Sequence, residues 1–180
     1  MKHLKSYESL ISLNEFTFQY WLKKYPQNIN TEIIHCKMEN LIDLNGIEKF
    51  KNLKELDCSV NKISYIPDLS NLTKLEKLFC SYNKLTELPN LYNLTNLEVL
   101  TCNRNKLTEL PELPNSLKTL YCYTNKLIKL PELNNLEFLD CSNNRLTELP
   151  DISKLTELKC KDNNLPYNNL NQYKKFYNNI

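Results

Sequence analysis

The sequence predicts an α/β repeat solenoid, a stack of short coils whose strands lie side by side in one parallel sheet. Two observations predict it. Seven cysteines stand at Cys36, Cys58, Cys80, Cys102, Cys122, Cys141 and Cys160, with spacings of 22, 22, 22, 20, 19 and 19. A fixed period near twenty residues marks a chain built of stacked units. The neighbours of each cysteine repeat with it. An aliphatic stands two residues before (Ile34, Leu56, Leu78, Leu100, Leu120, Leu139, Leu158), and a leucine stands five before in every unit except the first, which has Thr31. Asn follows three residues after, at Asn61, Asn83, Asn105, Asn125, Asn144 and Asn163, with Glu39 in the first unit. Five residues after come Leu41, Ile63, Leu85, Leu107, Leu127, Leu146 and Leu165. The unit reads L-x-x-L-x-C-x-x-N-x-L.

Each element follows from this unit. Within L-x-C the aliphatic and the cysteine point to one side and their neighbours to the other, which is the alternation of a strand. About seven such strands stack in parallel at ~4.8 Å, because one unit alone cannot hide its apolar face. Pro67, Pro89, Pro111, Pro131 and Pro150 all fall nine residues after their cysteine. Proline donates no hydrogen bond, so the side opposite the sheet is expected to be extended or irregular. The 19- and 20-residue units leave no room for a full helix, whereas the 22-residue units accommodate a short 3₁₀ or helical turn. With a single glycine, Gly46, the turns must be built on Asn and Pro.

Composition narrows the function. Hydrophobic residues at 41% and charged residues at 24% fit one globular domain rather than a disordered chain. A net charge of +2 offers no large field for a phosphate backbone, so nucleic acid is not an expected partner. Apolar runs are short and the N-terminus carries Glu8 and serines, so neither a secretory signal nor a membrane segment is expected. The odd cysteine count and their in-register placement favour an inward ladder of reduced thiols over disulfides, a thiophilic metal site or a redox relay. His3 and His35 lie in different contexts, and no phosphate-cradling glycine loop or metalloprotease motif occurs. The expectation is a monomeric, non-enzymatic chain that needs no cofactor.

The ends depart from the unit, as the caps of an open solenoid must. Residues 1–30 are expected to form a helical cap in which Phe18, Trp21, Leu22 and Tyr25 recur at helical spacing, Pro26 stops the run, and Asn14 followed by Glu15 is the N-cap. A second short helix is expected over Ser6 to Leu13. The repeats occupy 31–165. In 166–180, Leu170, Tyr173, Phe176 and Tyr177 predict a closing helix, and no further domain is expected.

The eleven-position unit resembles the leucine-rich-repeat family, whose pattern has leucine where this chain has cysteine. LPELPNSLKTLYC is similar to the short repeats of bacterial effector and large-virus proteins, and NGIEKFKNLKELDC to the 22-residue repeats of internalin-like proteins. The resemblance implies a right-handed superhelix with a concave parallel sheet, and an asparagine ladder bonded to the backbone of adjacent coils. It also implies a protein partner held on the concave face, in the cytoplasm or in a host cell's cytoplasm. Two alternatives come with it: a regulatory, inhibitory or targeting subunit of an enzyme, and the substrate-recognition arm of a ubiquitin-ligase system.

The outward positions of the strands are those three before, one before, one after and two after each cysteine. In the middle repeats they supply Phe79, Tyr82, Val99, Thr101, Arg104, Tyr121, Tyr123 and Phe138. Aromatic and arginine side chains anchor interfaces because they bury large area at low entropic cost. Aromatics also favour strands for packing reasons alone. Glu55, Asp57 and Lys77 flank this patch on one side, and Asp140, Lys159 and Lys161 on the other. A row of cations, Lys62, Lys84, Lys106, Lys126 and Arg145, is expected to be a solvated rim offset by the glutamates Glu87, Glu109 and Glu148.

Overall fold

The computed structural model describes residues 16–177. Seven three-residue strands form one sheet in chain order: β1 (Ile33–His35), β2 (Glu55–Asp57), β3 (Lys77–Phe79), β4 (Val99–Thr101), β5 (Thr119–Tyr121), β6 (Phe138–Asp140) and β7 (Glu157–Lys159). Every pair is parallel and in register, so Ile34, Leu56, Leu78, Leu100, Leu120, Leu139 and Leu158 form one row. That row is buried, and the seven cysteines two residues further on are free and 0% exposed. The thiols are core.

The opposite side of the coil is irregular, with one 3₁₀ helix at Ile47–Lys49. In the 22-residue repeats two tight turns follow each other, Leu72 N–H to Leu69 O and Leu75 N–H to Leu72 O, then Leu94 N–H to Leu91 O and Leu97 N–H to Leu94 O. The 19-residue repeats keep one, Leu136 N–H to Leu133 O and Leu155 N–H to Ile152 O. Three residues are one 3₁₀ turn. The shortened repeats therefore drop a whole turn, with the inward residue it carried (Phe50, Leu72 or Leu94), and leave the sheet register untouched.

Asparagine bonds successive coils together. Asn105 Oδ1 accepts from Leu85 N–H at 3.0 Å, while its Nδ2 donates to Cys80 O at 3.1 Å and Cys102 O at 3.0 Å. Asn61, Asn83, Asn125, Asn144 and Asn163 repeat the arrangement one coil at a time. Each satisfies strand-end carbonyls and an amide that the ladder leaves over. Glu39 replaces Asn in the first repeat, and among the described residues no strand precedes β1.

The residue before each of these positions lies in the left-handed region: Met38, Val60, Tyr82, Arg104, Thr124, Asn143 and Asp162, with φ between 55° and 62°. The kink turns the next side chain, Asn in six of the seven, inward, and its own N–H bonds the next coil, as Val60 N–H does to Ser81 O at 2.9 Å and Arg104 N–H to Tyr123 O at 2.9 Å. Strand alternation would have buried these side chains. The kink is why they face out.

At the N-terminal end, helix α1 spans Phe18–Lys24. Its N-cap is Thr17, whose hydroxyl accepts from Tyr20 N–H at 3.2 Å. The expected cap at Asn14 is thus corrected: Thr17 has the extended backbone and hydroxyl an N-cap needs. Asn14 itself and the expected Ser6–Leu13 helix lie outside the described residues. Phe18 stacks on Trp21 at 5.5 Å and meets Phe50 edge-on at 6.4 Å, closing the first coil. Gly46 has φ +99°, a conformation that strains other residues, and a Cβ there would also displace the Gln19 side chain that bonds Asn45 O. Helix α2, Leu170–Tyr177, closes the other end over the buried Tyr167.

Asn105→Ala is expected to lower stability by about 2 kcal/mol in urea unfolding, since it strands the Leu85 N–H and takes one of two amide donors from each of Cys80 O and Cys102 O, which keep Asn83 and Asn125. Val60→Asn is expected to raise stability by about 1 kcal/mol, because a β-branched residue is replaced at a left-handed position. Destabilisation by Val60→Asn would contradict the kink at that residue. Burial pushes the Cys102 thiol up from 9.0 to about 12, and burial followed by the charge of Asp57 does the same to Cys36. The unfolded chain then loses thiol protons before the native one, so stability is full below about pH 9 and falls as pH rises toward about 12, by up to ~1.4 kcal/mol per pH unit for each thiol. Thermal midpoints measured against pH should fall in this window, and less steeply in Cys102→Ala.

Candidate functional site

The open face of the sheet carries three side-chain rows. One before the cysteine run His35, Asp57, Phe79, Thr101, Tyr121, Asp140 and Lys159, in register across β1 to β7. The row one after the cysteine contributes Ser59, Ser81 and Asn103, all buried between their neighbours. The third row holds the first residue of each strand: Ile33, Glu55, Lys77, Val99, Thr119, Phe138 and Glu157.

Five of the eight sequence-predicted residues line one groove. Phe79, Tyr82, Thr101, Tyr121 and Tyr123 surround it together with Asp57, Ser59, Ser81, Asn103 and Asp140. Its floor is polar and internally bonded, Ser81 Oγ lying 3.0 Å from Thr101 Oγ1 and 2.5 Å from Asn103 Oδ1. At each end an aspartate is braced by the backbone, Ser59 N–H donating to Asp57 Oδ1 at 2.9 Å and Ser142 N–H to Asp140 Oδ1 at 3.1 Å. The floor residues were missed by sequence reasoning. Their only signal is the small polar side chain that recurs one position after the cysteine.

The other three predicted residues lie outside the groove. Val99 and Phe138 belong to the strand-start row, a distance of two residues along the strand, ~6.6 Å. Phe138 still joins the cluster, because its ring lies 4.7 Å from that of Tyr121. The Lys159 ammonium sits 5.3 Å over the other side of the patch at Phe138 and is 3.1 Å from Glu157, whose carboxylate holds it above its ordinary pKa. Arg104 leaves the groove at the kink and stacks its guanidinium on Tyr82 at 5.0 Å. Cation–π stacking of this kind orders both side chains.

The His35 ring is held at 2.8 Å by Glu55, whose carboxylate the hydrogen bond from His35 and then Lys77 keep below the usual range. The thiols point the other way. Among the described residues no group of three or more His, Cys, Asp or Glu converges to hold a metal ion. No described helix is long and apolar enough to cross a membrane.

Comparison with known proteins agrees with this geometry. A family model described as Leucine Rich repeats (2 copies) matches residues 51–93 and 73–115, and one described as Leucine Rich Repeat matches 135–155. No curated protein sequence matches the chain. Among solved structures, YopM from Yersinia enterocolitica WA-314 is similar at 33% identity and a TM-score of 0.72, over 77% of this chain and 30% of that one. The leucine-rich-repeat domain of a Shigella effector, at 24% identity and a TM-score of 0.67, covers 89% of this chain and 88% of its own and shares the fold. A chain from the octameric complex of Latrophilin 3, Unc5D and FLRT2, in which FLRT2 is represented by its leucine-rich repeats, gives 32% identity and a TM-score of 0.55 over 63% of this chain and 40% of that one. The chain thus spans under a third of the length of the YopM it matches. Seven in-register strands, a buried leucine row and an asparagine ladder, with these matches, make the chain a leucine-rich-repeat protein that resembles those of bacterial effectors.

Proposed function

We propose that the chain is a non-enzymatic interaction module that holds a partner protein on its concave sheet. The observation that carries this reading is the groove at the sheet's centre, where Phe79, Tyr82, Tyr121 and Tyr123 ring a small polar floor in which Ser81 is bonded to its neighbours Thr101 and Asn103. Such a surface presents aromatic area for burial, with small polar groups beneath it to fix a partner's orientation. The strands that carry it are fixed on both sides by neighbours, so little freedom is lost on binding. Assembly of the FLRT2 repeats with other proteins supports the same use of the fold. Seven free thiols suit a reducing compartment, and we place the protein in a cytoplasm.

The test is affinity capture followed by calorimetric titration of the captured protein. Phe79→Ala and Tyr121→Ala are each expected to weaken binding about tenfold, roughly 1.4 kcal/mol, with circular dichroism unchanged. If both bound at wild-type strength, the groove would not be the site. A rate change in a captured enzyme would make the role inhibitory or targeting.

A further inference from the structure

The cations of this molecule are arranged differently on the two edges of the sheet. Where the strands begin they are paired: Lys54 with Glu32 at 2.9 Å, Lys77 with Glu55 at 3.1 Å and Lys118 with Glu137 at 3.4 Å. Where the strands end, Lys62, Lys84, Lys106, Lys126 and Arg145 occupy one position of five successive repeats, and all are exposed; Lys62 lies over the Phe16 ring at 5.5 Å, which leaves the other four. None of the four takes part in an ion pair among the described residues. Glu87, Glu109 and Glu148 were expected to offset this row, but they form no such pair with it. In the fifth repeat the glutamate position is held by Lys129, so positive charge is densest around Lys126.

The row is also rigid at its base. Each backbone N–H bonds the preceding coil, Lys84 to Ile63 O, Lys106 to Leu85 O, Lys126 to Leu107 O and Arg145 to Leu127 O, all at 2.8 Å. Four like charges are therefore rooted at a pitch of ~4.8 Å, and an external counter-charge seated on them would relieve their mutual repulsion. Arg104, stacked on Tyr82, adds a further cation on the same edge.

We propose that this edge is a docking rail for an acidic, extended segment of a protein, whose carboxylates pair with Lys84, Lys106, Lys126 and Arg145. An extended segment places alternate side chains ~6.6 Å apart, which flexible lysine stems rooted at the rail's pitch can meet. A polypeptide fits better than a nucleic acid. The rail is single file and the glutamate row lies three residues beyond it, where a duplex would set its second phosphate strand against like charge. The rail is separate from the aromatic groove, touching it only at the Tyr82–Arg104 stack.

The probe is a fluorescent oligoglutamate of about eight residues, long enough to span the row at ~3.3 Å per residue, titrated into the full chain by polarisation. Saturable binding that weakens as salt rises is expected. Lys84→Glu, Lys106→Glu and Lys126→Glu together should weaken it about tenfold or more, while Lys54→Glu with Lys118→Glu on the opposite edge should change it less than about twofold. Phe79→Ala should leave it unchanged, which separates the rail from the groove. Equal loss from both edges, or no saturable binding by the wild-type chain, would overturn the proposal. So would an oligothymidylate that binds more tightly than the peptide and is lost in the same triple variant.

Discussion

Everything in this solenoid depends on how the backbone is satisfied where each strand ends. Three-residue strands leave carbonyls and amides that neither the sheet nor the irregular side can take up, and these groups are buried. One side-chain amide per coil takes them. For Asn to reach inward, the residue before it must take the left-handed conformation, which in turn throws that residue's own side chain onto the rim. Tyr82 and Arg104 owe their positions on the surface to a requirement of the core.

The division of labour between inside and outside follows. Inward positions are leucine, isoleucine or cysteine with little variation, because each contacts its own kind in the coils above and below. Cysteine serves as a small apolar side chain there, and its thiol donates weakly to the next strand, as from Cys80 to Thr101 O. Outward positions carry no such obligation. The sheet can present phenylalanine, threonine, tyrosine and aspartate in one row without altering the backbone ladder, so recognition varies while the frame is kept.

The strands, their parallel order and the buried thiols were legible because a strict period repeats the same evidence seven times. Other features were not. The left-handed row is occupied by Val60, Thr124 and Tyr82, residues without preference for that conformation, so tertiary hydrogen bonding overrides local propensity there. Thr17 and Asn14 are both acceptable caps by residue type, and only packing of Phe18 and Trp21 against the first coil selects where the helix begins. The patch of eight residues divides into groove and flank because distance along a strand matters as much as the face a side chain shares. Ser81 and Asn103 were passed over since small polar residues look like neutral filler until they are found bonded to each other in a groove that aromatic side chains also line.

The direction of the asparagine bonds has a further consequence. Each reaches back to its own coil and the one before it, never forward to the next. A chain emerging from the ribosome amino end first would therefore complete one coil's hydrogen bonding as soon as the next is made, without waiting for the whole. Growth by duplication is polar in the same sense: a coil added after the last strand brings its own amide, whereas one added before the first would need Glu39 to become asparagine.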